Sequence, residues 1–416
     1  MPGASHPYSG RDSAILPDLI NRRIEFRFSG KSIKLDLSLG LFSSNGIDTG
    51  SMLLLKSIAG QYDLSRVHNV LDAGCGCGAL GLAIASRNSG AGVYLIDRDR
   101  LAVEFSAHNA RLNGLGNVVT NQRLMLEDSH PNAYDLIVSN FPAKAGLPVI
   151  EDFILRSPGL LSADGRVGLV IVQPLADSCR EFIRRARNII LHEESAKSHT
   201  VFHFRRGGDV ETEQCFKKDW LQPYIRQSQA FAVGRTRYTL ATAWNIGDFD
   251  SISWRIELLA GLLAKGGEAG GRWVFWSPGQ GHFPLLCAAR QGAPPGEIVL
   301  AGRDRLALLI SERNLRAYNS LLKTALIPLA EPGLLSAVME PNSVNLLLTD
   351  LAPIPRTAWS SRLKQVSATL IKPGGKWAIT GRSAHLAELT KNTRGWTMTG
   401  DRRHHGWRAV ILRRNS

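Results

Sequence analysis

The sequence predicts an α/β protein of two tandem domains, each with a mostly parallel sheet flanked by helices. In the first half, apolar runs at residues 70–73 and 93–97 enclose a helical pattern, which is typical of parallel strands joined by a helix. The same alternation begins again in the second half, where residues 298–316 align without a gap with residues 93–111. This similarity indicates duplication of a whole domain rather than a short repeat.

A glycine-rich turn follows the first of these strands. The strand contains Asp72 near its end, and Gly74, Gly76 and Gly78 follow at every second position. Glycines allow a tight turn and bring bare backbone against a ligand. The next strand ends in Asp97, where an acid is well placed to bind ribose hydroxyls. This order predicts a nucleotide-type site at the carboxyl ends of the strands.

Two more segments of the first half carry candidate chemistry. The run YDLIVSNFPAKAG at residues 134–146 contains an apolar strand that ends in Asn140, with Pro142 two residues further on. The run GLFSSNGIDTGSMLLLKSI at residues 40–58 precedes the glycine turn.

Together these motifs resemble those of one enzyme family. The spacing D-x-G-x-G-x-G at residues 72–78 resembles the motif of class I S-adenosylmethionine-dependent methyltransferases. The Asn140 segment resembles the N-P-P-[FYW] motif of methyltransferases that modify amino nitrogens. Residues 40–58 closely resemble a segment of the bacterial ribosomal-RNA guanine-N2 methyltransferases of the methyltransferase small domain type. The resemblance covers roughly residues 25–206 and implies Rossmann-like methyltransferase domains.

The resemblance implies S-adenosyl-L-methionine as the cofactor. The residues implied to bind it are Asp48, Gly50, Ser51, Asp72, Gly74, Gly76, Gly78, Asp97 and Arg98. Asp72 is expected near the methionine amino group, Asp97 at both ribose hydroxyls and Arg98 beside the adenine. For Asp48 a second interpretation stays open, because an aspartate before the run MLLLKSI is also a typical helix N-cap.

Asn140, Phe141 and Pro142 are the implied catalytic residues. The side-chain carbonyl of Asn140 can accept one hydrogen of a substrate amine, and the backbone carbonyl of Phe141 can accept the other. Pro142 has a fixed φ and would stiffen this turn. The other interpretation of Asn140 is an Asx-type turn at the end of a strand. The aromatic position of the family motif is Ala143 here, so Phe141, Phe42 or the second domain would have to supply a stacking ring.

The second copy differs from the first at the site positions. The aligned segments pair Asp48 with Asp250, Asp72 with Ser277, Gly74 with Gly279, Gly76 with Gly281, Gly78 with Phe283, Asp97 with Gly302, Asn140 with Asp350 and Pro142 with Ala352. A phenyl ring at the third glycine is expected to crowd a ligand. These losses predict a second domain that keeps the fold without catalysis and serves as an RNA-binding platform.

The pattern along the chain predicts four regions. These are an N-terminal tail at 1–23, a catalytic methyltransferase domain at 24–206, a linker at 207–229 and a degenerate methyltransferase-like domain at 230–416. Residues 24–40 alternate apolar and polar side chains around Ser29–Gly30, which predicts a hairpin.

Composition limits the class of protein. The net charge of +14 favours a polyanionic partner, here ribosomal RNA or a ribosomal subunit. No apolar run reaches 18 residues and no secretory signal is evident, so we expect a cytoplasmic protein without membrane contact. The five cysteines are not spaced for a metal site. The intramolecular pair of similar domains favours a monomer.

The sequence leaves three functions open. The leading one is methyl transfer from S-adenosylmethionine to an exocyclic amine of an RNA base, with guanine N2 of ribosomal RNA as the expected target. A second is transfer to adenine N6 in DNA or RNA, or to a protein glutamine, because an asparagine–proline turn suits any planar nitrogen. A third is a non-catalytic RNA-binding factor in ribosome assembly.

Overall fold

The computed structural model describes residues 15–208, 219–263, 271–290 and 295–416. The first domain contains, in order, β1 (Arg22–Phe28), β2 (Lys31–Leu37), α1 (Thr49–Gln61), β3 (Asn69–Ala73), α2 (Ala79–Arg87), β4 (Gly92–Asp97), α3 (Arg100–Leu112), β5 (Val118–Gln122), β6 (Tyr134–Asn140), α4 (Leu147–Arg156), β7 (Leu161–Val172), α5 (Ala176–Arg185), β8 (Ile189–Ser195) and β9 (His199–Arg205). The second contains β10 (Ile225–Val233), β11 (Thr236–Ala243), α6 (Trp254–Leu263), β12 (Arg272–Trp276), α7 (His282–Arg290), β13 (Glu297–Gly302), α8 (Arg305–Tyr318), β14 (Thr324–Pro328), β15 (Val344–Leu351), α9 (Trp359–Leu370), β16 (Ile371–Arg382), α10 (Ser383–Leu389), β17 (Trp396–His404) and β18 (Trp407–Arg414).

Each domain is built on a seven-stranded sheet, and the two sheets have the same topology. The first has the strand order β5-β4-β3-β6-β7-β9-β8 and the second β14-β13-β12-β15-β16-β18-β17. Five strands of each sheet are parallel and the last two pair antiparallel. Apolar residues of the parallel strands are buried on both sheet faces under the flanking helices. The predicted fold class of two tandem Rossmann-like domains is confirmed.

A two-stranded hairpin precedes each sheet. The first is β1–β2, and its turn residues Ser29 and Gly30 have φ values of 44° and 83°, as a two-residue type I′ turn requires. Asn109 fixes this hairpin by exchanging two hydrogen bonds with the backbone of Asp36. Asn314 makes the same exchange with Ala241 of β11 in the second domain. The asparagine shared by the two copies therefore has a structural role in both.

The repeated Arg-Asp-Arg segment forms the interface between the domains. Residues 98–100 follow β4 and residues 303–305 follow β13, and Asp99 pairs with Asp304 in an antiparallel bridge. The contacts are reciprocal: Arg303 pairs with Asp99, and Arg98 with Asp304 at 3.2 Å. Equivalent residues thus meet across a local pseudo-twofold axis, as in an isologous dimer interface.

Two predicted boundaries need correction. Residues 1–14 of the predicted tail lie outside the described residues, but Ile15 and Leu19 are buried against Phe105 of the first domain and Ala330 of the second. This part of the predicted tail therefore belongs to the folded core, because its apolar side chains pack between the domains. The predicted linker also ends too late, since β10 begins at Ile225.

Among the described residues, no helix is long and apolar enough to span a membrane. The same residues contain no group of three or more histidine, cysteine or acidic side chains arranged to hold a metal ion. His203 is buried and bonds Ser57 at 2.7 Å and Tyr62 at 2.8 Å, which is a structural role. Burial lowers the pKa of His203 to about 4.

Candidate methyltransferase site

The glycine turn after β3 has the backbone that the sequence predicted. Gly74, Gly76 and Gly78 have φ values of 79°, 56° and 91°, in the region that favours glycine. A Cβ on Gly76 would meet nothing within 4 Å, so its backbone borders open space. A Cβ on Gly78 would lie 2.9 Å from Leu82, so this glycine is required for packing of α2. The first two glycines therefore form the side that a ligand can approach.

Asp72 lies beneath this turn with half of its carboxylate unpaired. Its Oδ2 accepts a hydrogen bond from the backbone N of Gly81 at 2.8 Å. Its Oδ1 is buried and has no partner among the described residues. Burial raises the pKa of Asp72 to about 7. A buried acceptor without a donor is costly, and the ammonium group of the expected cofactor is a suitable donor.

Asp97 joins the glycine turn to the next loop. Its Oδ2 accepts from the backbone N of Gly76 at 3.0 Å, and its Oδ1 accepts from the backbone N of Asp99 at 2.8 Å. Each carboxylate oxygen has a further lone pair, so both can accept from ribose hydroxyls. Burial raises the pKa of Asp97 to about 6. The residues present thus fit the nucleoside part of the cofactor.

Asn140, Asp48 and Ser51 form one hydrogen-bonded group beside this cradle. The Nδ2 of Asn140 donates to Asp48 Oδ1 at 2.7 Å and to Ser51 Oγ at 3.0 Å. Asp48 also accepts from the backbone N of Ser51 at 2.9 Å and from its hydroxyl at 2.8 Å. The N-cap interpretation of Asp48 is therefore confirmed, and the same carboxylate positions Asn140. Gly50 is buried in this turn, where a Cβ would lie 2.9 Å from the ring of His199.

This arrangement fixes the orientation of the Asn140 amide. A carboxylate only accepts hydrogen bonds, so the amide nitrogen of Asn140 must point towards Asp48. Its Oδ1 then points away from Asp48 and is the atom that can accept from an amine. The amide is thus engaged with α1 across the site, which does not fit an Asx-type turn.

The neighbours of Asn140 narrow the choice of a stacking ring. Phe141 is 2% exposed and packs edge-to-face on Phe153 with ring centroids 5.2 Å apart, so its ring is unable to reach a substrate base. The suggestion that Phe141 supplies the ring is therefore wrong, whereas its carbonyl stays a predicted acceptor. Pro142 is exposed with a φ of −69°. Phe42 is 81% exposed, and the adjacent Ser43 bonds Asp48 at 3.4 Å.

Several neighbours of the site were not predicted. Met125 lies 3.7 Å from the Cβ position of Gly74, on the ligand side of the turn. Trp244 of the second domain packs on Gly146, just after the asparagine–proline segment. Arg98, predicted beside the adenine, donates to the carbonyl of Asn245 at 3.0 Å as well as pairing with the second domain. Contacts between domains leave no periodic signal in the sequence.

The glycine turn of the second copy aligns with the first differently from the sequence prediction. Ser106 and Ser311 occupy equivalent positions in α3 and α8. Ser106 donates to the carbonyl of Gly76 at 2.8 Å, and Ser311 donates to that of Gly279 at 3.1 Å. Gly279 is therefore the equivalent of Gly76 and not of Gly74.

The corrected pairs are Asp72 with Phe275, Gly74 with Ser277, Gly76 with Gly279 and Gly78 with Gly281. Phe283 lies inside the first turn of α7, so the predicted crowding of the turn by this ring is wrong. The second copy has instead replaced the site carboxylate by the buried ring of Phe275. Ser277 has a φ of 58°, in the region where glycine is favoured.

The acceptor side of the second copy has also changed. Asp350, the last residue but one of β15, is the equivalent of Asn140 at the end of β6, as predicted, and it pairs with Arg255. Asp248 binds the same guanidinium. An ion-paired carboxylate thus replaces the free amide carbonyl. Asp250, predicted to match Asp48, pairs with Arg226. The predicted match is wrong, because Ser253 accepts the first bond of α6 from Glu257 N as Asp48 accepts that of α1 from Met52 N.

Comparisons with known proteins agree with this geometry. The methyltransferase small domain family profile matches residues 32–189. Uncharacterized protein YbxB of Bacillus subtilis is 32% identical over 148 residues, which are 35% of this chain and 72% of that protein. Ribosomal RNA small subunit methyltransferase C of Hamiltonella defensa is 34% identical over 149 residues. The match spans 35% of this chain but only 42% of that protein.

A solved structure resembles nearly the whole chain. The T. thermophilus 16S rRNA N2 methyltransferase in complex with AdoMet and guanosine gives a TM-score of 0.64 and covers 96% of this chain and 99% of that one. At 16% identity this likeness concerns the fold alone. The family match, the relatives and the cofactor cradle agree, and the chain belongs to the methyltransferase small domain family of S-adenosylmethionine-dependent methyltransferases.

Proposed function

We propose that this enzyme methylates an exocyclic amine of a ribosomal RNA base, with guanine N2 as the target. The observation that carries the proposal is the fixed amide of Asn140, whose Oδ1 is left to accept an amine hydrogen. β6 pairs with β3, and adjacent strands lie about 4.8 Å apart. Asn140 therefore ends its strand beside the glycine turn that holds the cofactor.

The chemistry requires positioning more than acid–base catalysis. S-adenosylmethionine, when bound, supplies a methyl group on a positively charged sulfonium, and the neutral thioether that remains after transfer is a good leaving group. The amine of a base is a weak nucleophile because its lone pair is delocalised into the ring. Acceptance of its hydrogens by Asn140 and by the Phe141 carbonyl would localise that lone pair and direct it. Such positioning can contribute roughly 7–11 kcal/mol to lowering a barrier.

Charge and relatives support RNA as the substrate. The net charge of +14 favours contact with phosphates, and the degenerate domain provides a large surface for it. Relatives named ribosomal RNA small subunit methyltransferase C support ribosomal RNA in particular. The two copies bind each other through residues 98–100 and 303–305 within one chain. We therefore propose that the protein is a monomer.

Asp48→Asn separates the two roles of Asp48. Asparagine is as good an N-cap as aspartate, so α1 and the Tm should change little. An amide at position 48 no longer forces the Asn140 nitrogen towards itself, so we expect kcat to fall roughly tenfold, the value of about one hydrogen bond. Steady-state kinetics and thermal denaturation measure both. A raised Kd for S-adenosylmethionine at unchanged kcat would instead assign Asp48 to the cofactor.

Affinity for S-adenosylmethionine should fall as the pH is lowered from 8 to 5. The pKa values of Asp72 and Asp97 are raised to about 7 and about 6, so both carboxylates become protonated in this range. Protonated Asp72 loses its attraction for the ammonium, and protonated Asp97 no longer accepts from both hydroxyls. The expected loss approaches roughly tenfold per pH unit for each protonated group. Calorimetry in buffers of different ionisation enthalpy measures this, and affinity that rises on acidification contradicts it.

Transfer of a radiolabelled methyl group tests the proposed reaction directly. The substrate is bulk ribosomal RNA from cells that lack this protein, followed by nucleoside chromatography. Label that comigrates with N2-methylguanosine and disappears with Asn140→Ala supports the proposal. Label on N6-methyladenosine or on protein glutamine moves the function to those acceptors. Cofactor binding without label on any of the three acceptors would favour a non-catalytic RNA-binding factor.

A further inference from the structure

An exposed group of aromatic and basic side chains lies at one corner of the second domain. Trp254 begins α6, Arg382 ends β16, and His404, His405 and Trp407 surround the turn between β17 and β18. We call these five residues the hairpin-tip cluster. All lie where the parallel strands of the second sheet end, because Arg382 pairs with Trp407 in the sheet register.

Four of the five side chains of the cluster are exposed to solvent, and Trp407 is half-buried. Trp254 is 44% exposed, and His404, His405 and Arg382 are exposed as well. The His404 ring packs edge-on against Trp254 with centroids 4.1 Å apart, and the His405 ring lies 5.5 Å from it. The Arg382 guanidinium lies over the Trp407 ring at 4.1 Å from its centroid. The indole of Trp254 thus keeps 44% of its surface exposed beside two histidine rings.

The position of the cluster matches the substrate side of the active copy. Thr49 begins α1 as Trp254 begins α6, and His199 begins β9 as Trp407 begins β18. In the first domain Thr49 lies 3.4 Å from His199, one residue from Asp48. The hairpin-tip cluster therefore occupies, in the second domain, the position that Thr49 and His199 occupy in the first, beside the group formed by Asn140, Asp48 and Ser51.

The charge around the cluster is net positive, although the exposed Glu257 lies one helical turn from Trp254 on α6. Arg402 and Arg403 precede His404 on β17 and are exposed. The nearby carboxylate of Asp401 is bound by Arg408 at 2.8 Å and lies 3.8 Å from Arg403. Open aromatic faces within a basic surface suit single-stranded nucleic acid, because bases stack on the rings while cations meet the phosphates.

We propose that the hairpin-tip cluster binds an unpaired segment of the RNA substrate, with a base stacked on Trp254. Arg382 and Arg403 face the phosphates beside that base, and Arg402, whose guanidinium lies next to Gly261 of α6, faces a phosphate further along the strand. The degenerate domain would thus contact the RNA substrate at the position that corresponds to the surroundings of Asn140 in the active domain. This inference rests on the proposed function, because it takes RNA as the substrate.

Binding of a fluorescein-labelled single-stranded 12-nucleotide RNA, followed by anisotropy, tests the proposal. Trp254→Ala should weaken binding roughly 5- to 150-fold, the range for loss of one stacked base. The double variant Arg402→Ala and Arg403→Ala should lower the slope of log K against log salt by about 1.4. Tyr318→Ala, which removes a 50% exposed ring of α8, and Arg27→Ala, which removes an exposed charge, are the matched controls. Affinity for S-adenosylmethionine should not change in any of these variants.

The outcomes separate this inference from the proposed function. Wild-type binding that Trp254→Ala leaves within twofold overturns the cluster as an RNA site, even where methyl transfer to RNA is observed. Preference for a fully paired duplex, insensitive to Trp254→Ala, overturns it too. Wild-type protein that neither binds RNA nor labels it overturns both. Weakened binding together with a raised KM for RNA at unchanged kcat supports the proposal.

Discussion

Asn140→Ala should reduce methyl transfer roughly 100- to 1,000-fold, the usual effect of removing one hydrogen-bonding group that acts on the reacting atoms. The reason is that only Oδ1 of this amide is free to accept from the amine, since Nδ2 is held by Asp48 and Ser51. The Kd for S-adenosylmethionine should stay within about threefold. Single-turnover transfer and calorimetry measure the two quantities.

Lys144→Ala is the matched control for this prediction. Lys144 lies four residues further along the same segment and is exposed. Its removal tests whether any change of this segment slows the reaction. We expect less than a twofold effect on the rate. An equal loss in both variants would show that the segment matters for its shape and not for the amide of Asn140.

The site of the first domain could be predicted because local residues build it. The glycine turn, Asp97 and Asn140 each end or follow a strand, and carboxyl ends of parallel strands meet at one edge of a sheet. A strand pattern and turn chemistry therefore placed them together without knowledge of the tertiary structure. The bond between Asp48 and Asn140 joins residues 92 apart and had no such local signal.

The misplaced glycine turn has a physical cause. The sequence alignment extended the gapless match of residues 298–316 backwards, but the connection from α7 to β13 is two residues longer than that from α2 to β4. Glycines recur at every second position, so a shift of two still places glycine on glycine. The serine–carbonyl contacts of Ser106 and Ser311 and the register of the neighbouring strands distinguish the two alignments.

The Arg-Asp-Arg repeat shows a second reason why the role of a residue could not be predicted from the sequence. Similarity between the copies indicates duplication, and the resemblance to the methyltransferase family places Arg98 beside the adenine of the cofactor. In the structure, residues 98–100 and 303–305 bind each other. A residue kept in both copies can serve an interface, and a single sequence does not distinguish that role from a site.

Asp97→Ala should weaken S-adenosylmethionine binding roughly 100-fold or more. Two hydrogen bonds from ribose hydroxyls to a charged acceptor are worth about 1.5–3 kcal/mol each, and 1.4 kcal/mol is a factor of ten. The second domain lacks this acid, with Gly302 in its place, so it should not bind the cofactor detectably. Calorimetry on the full chain should therefore give a stoichiometry of one.

Asp97→Asn tests whether the charge or the shape of this side chain matters. The amide keeps one oxygen for the backbone N of Gly76 or Asp99 but loses the charge and half of the acceptor capacity. We expect binding between that of the wild type and Asp97→Ala, with a weaker pH dependence between pH 5 and 7 because the group with a pKa of about 6 is gone. Asp97→Asn binding as tightly as the wild type at pH 8 would contradict an ionised ribose acceptor. In that case Asp97 would serve only to hold the glycine turn and the Asp99 loop together through its two backbone hydrogen bonds.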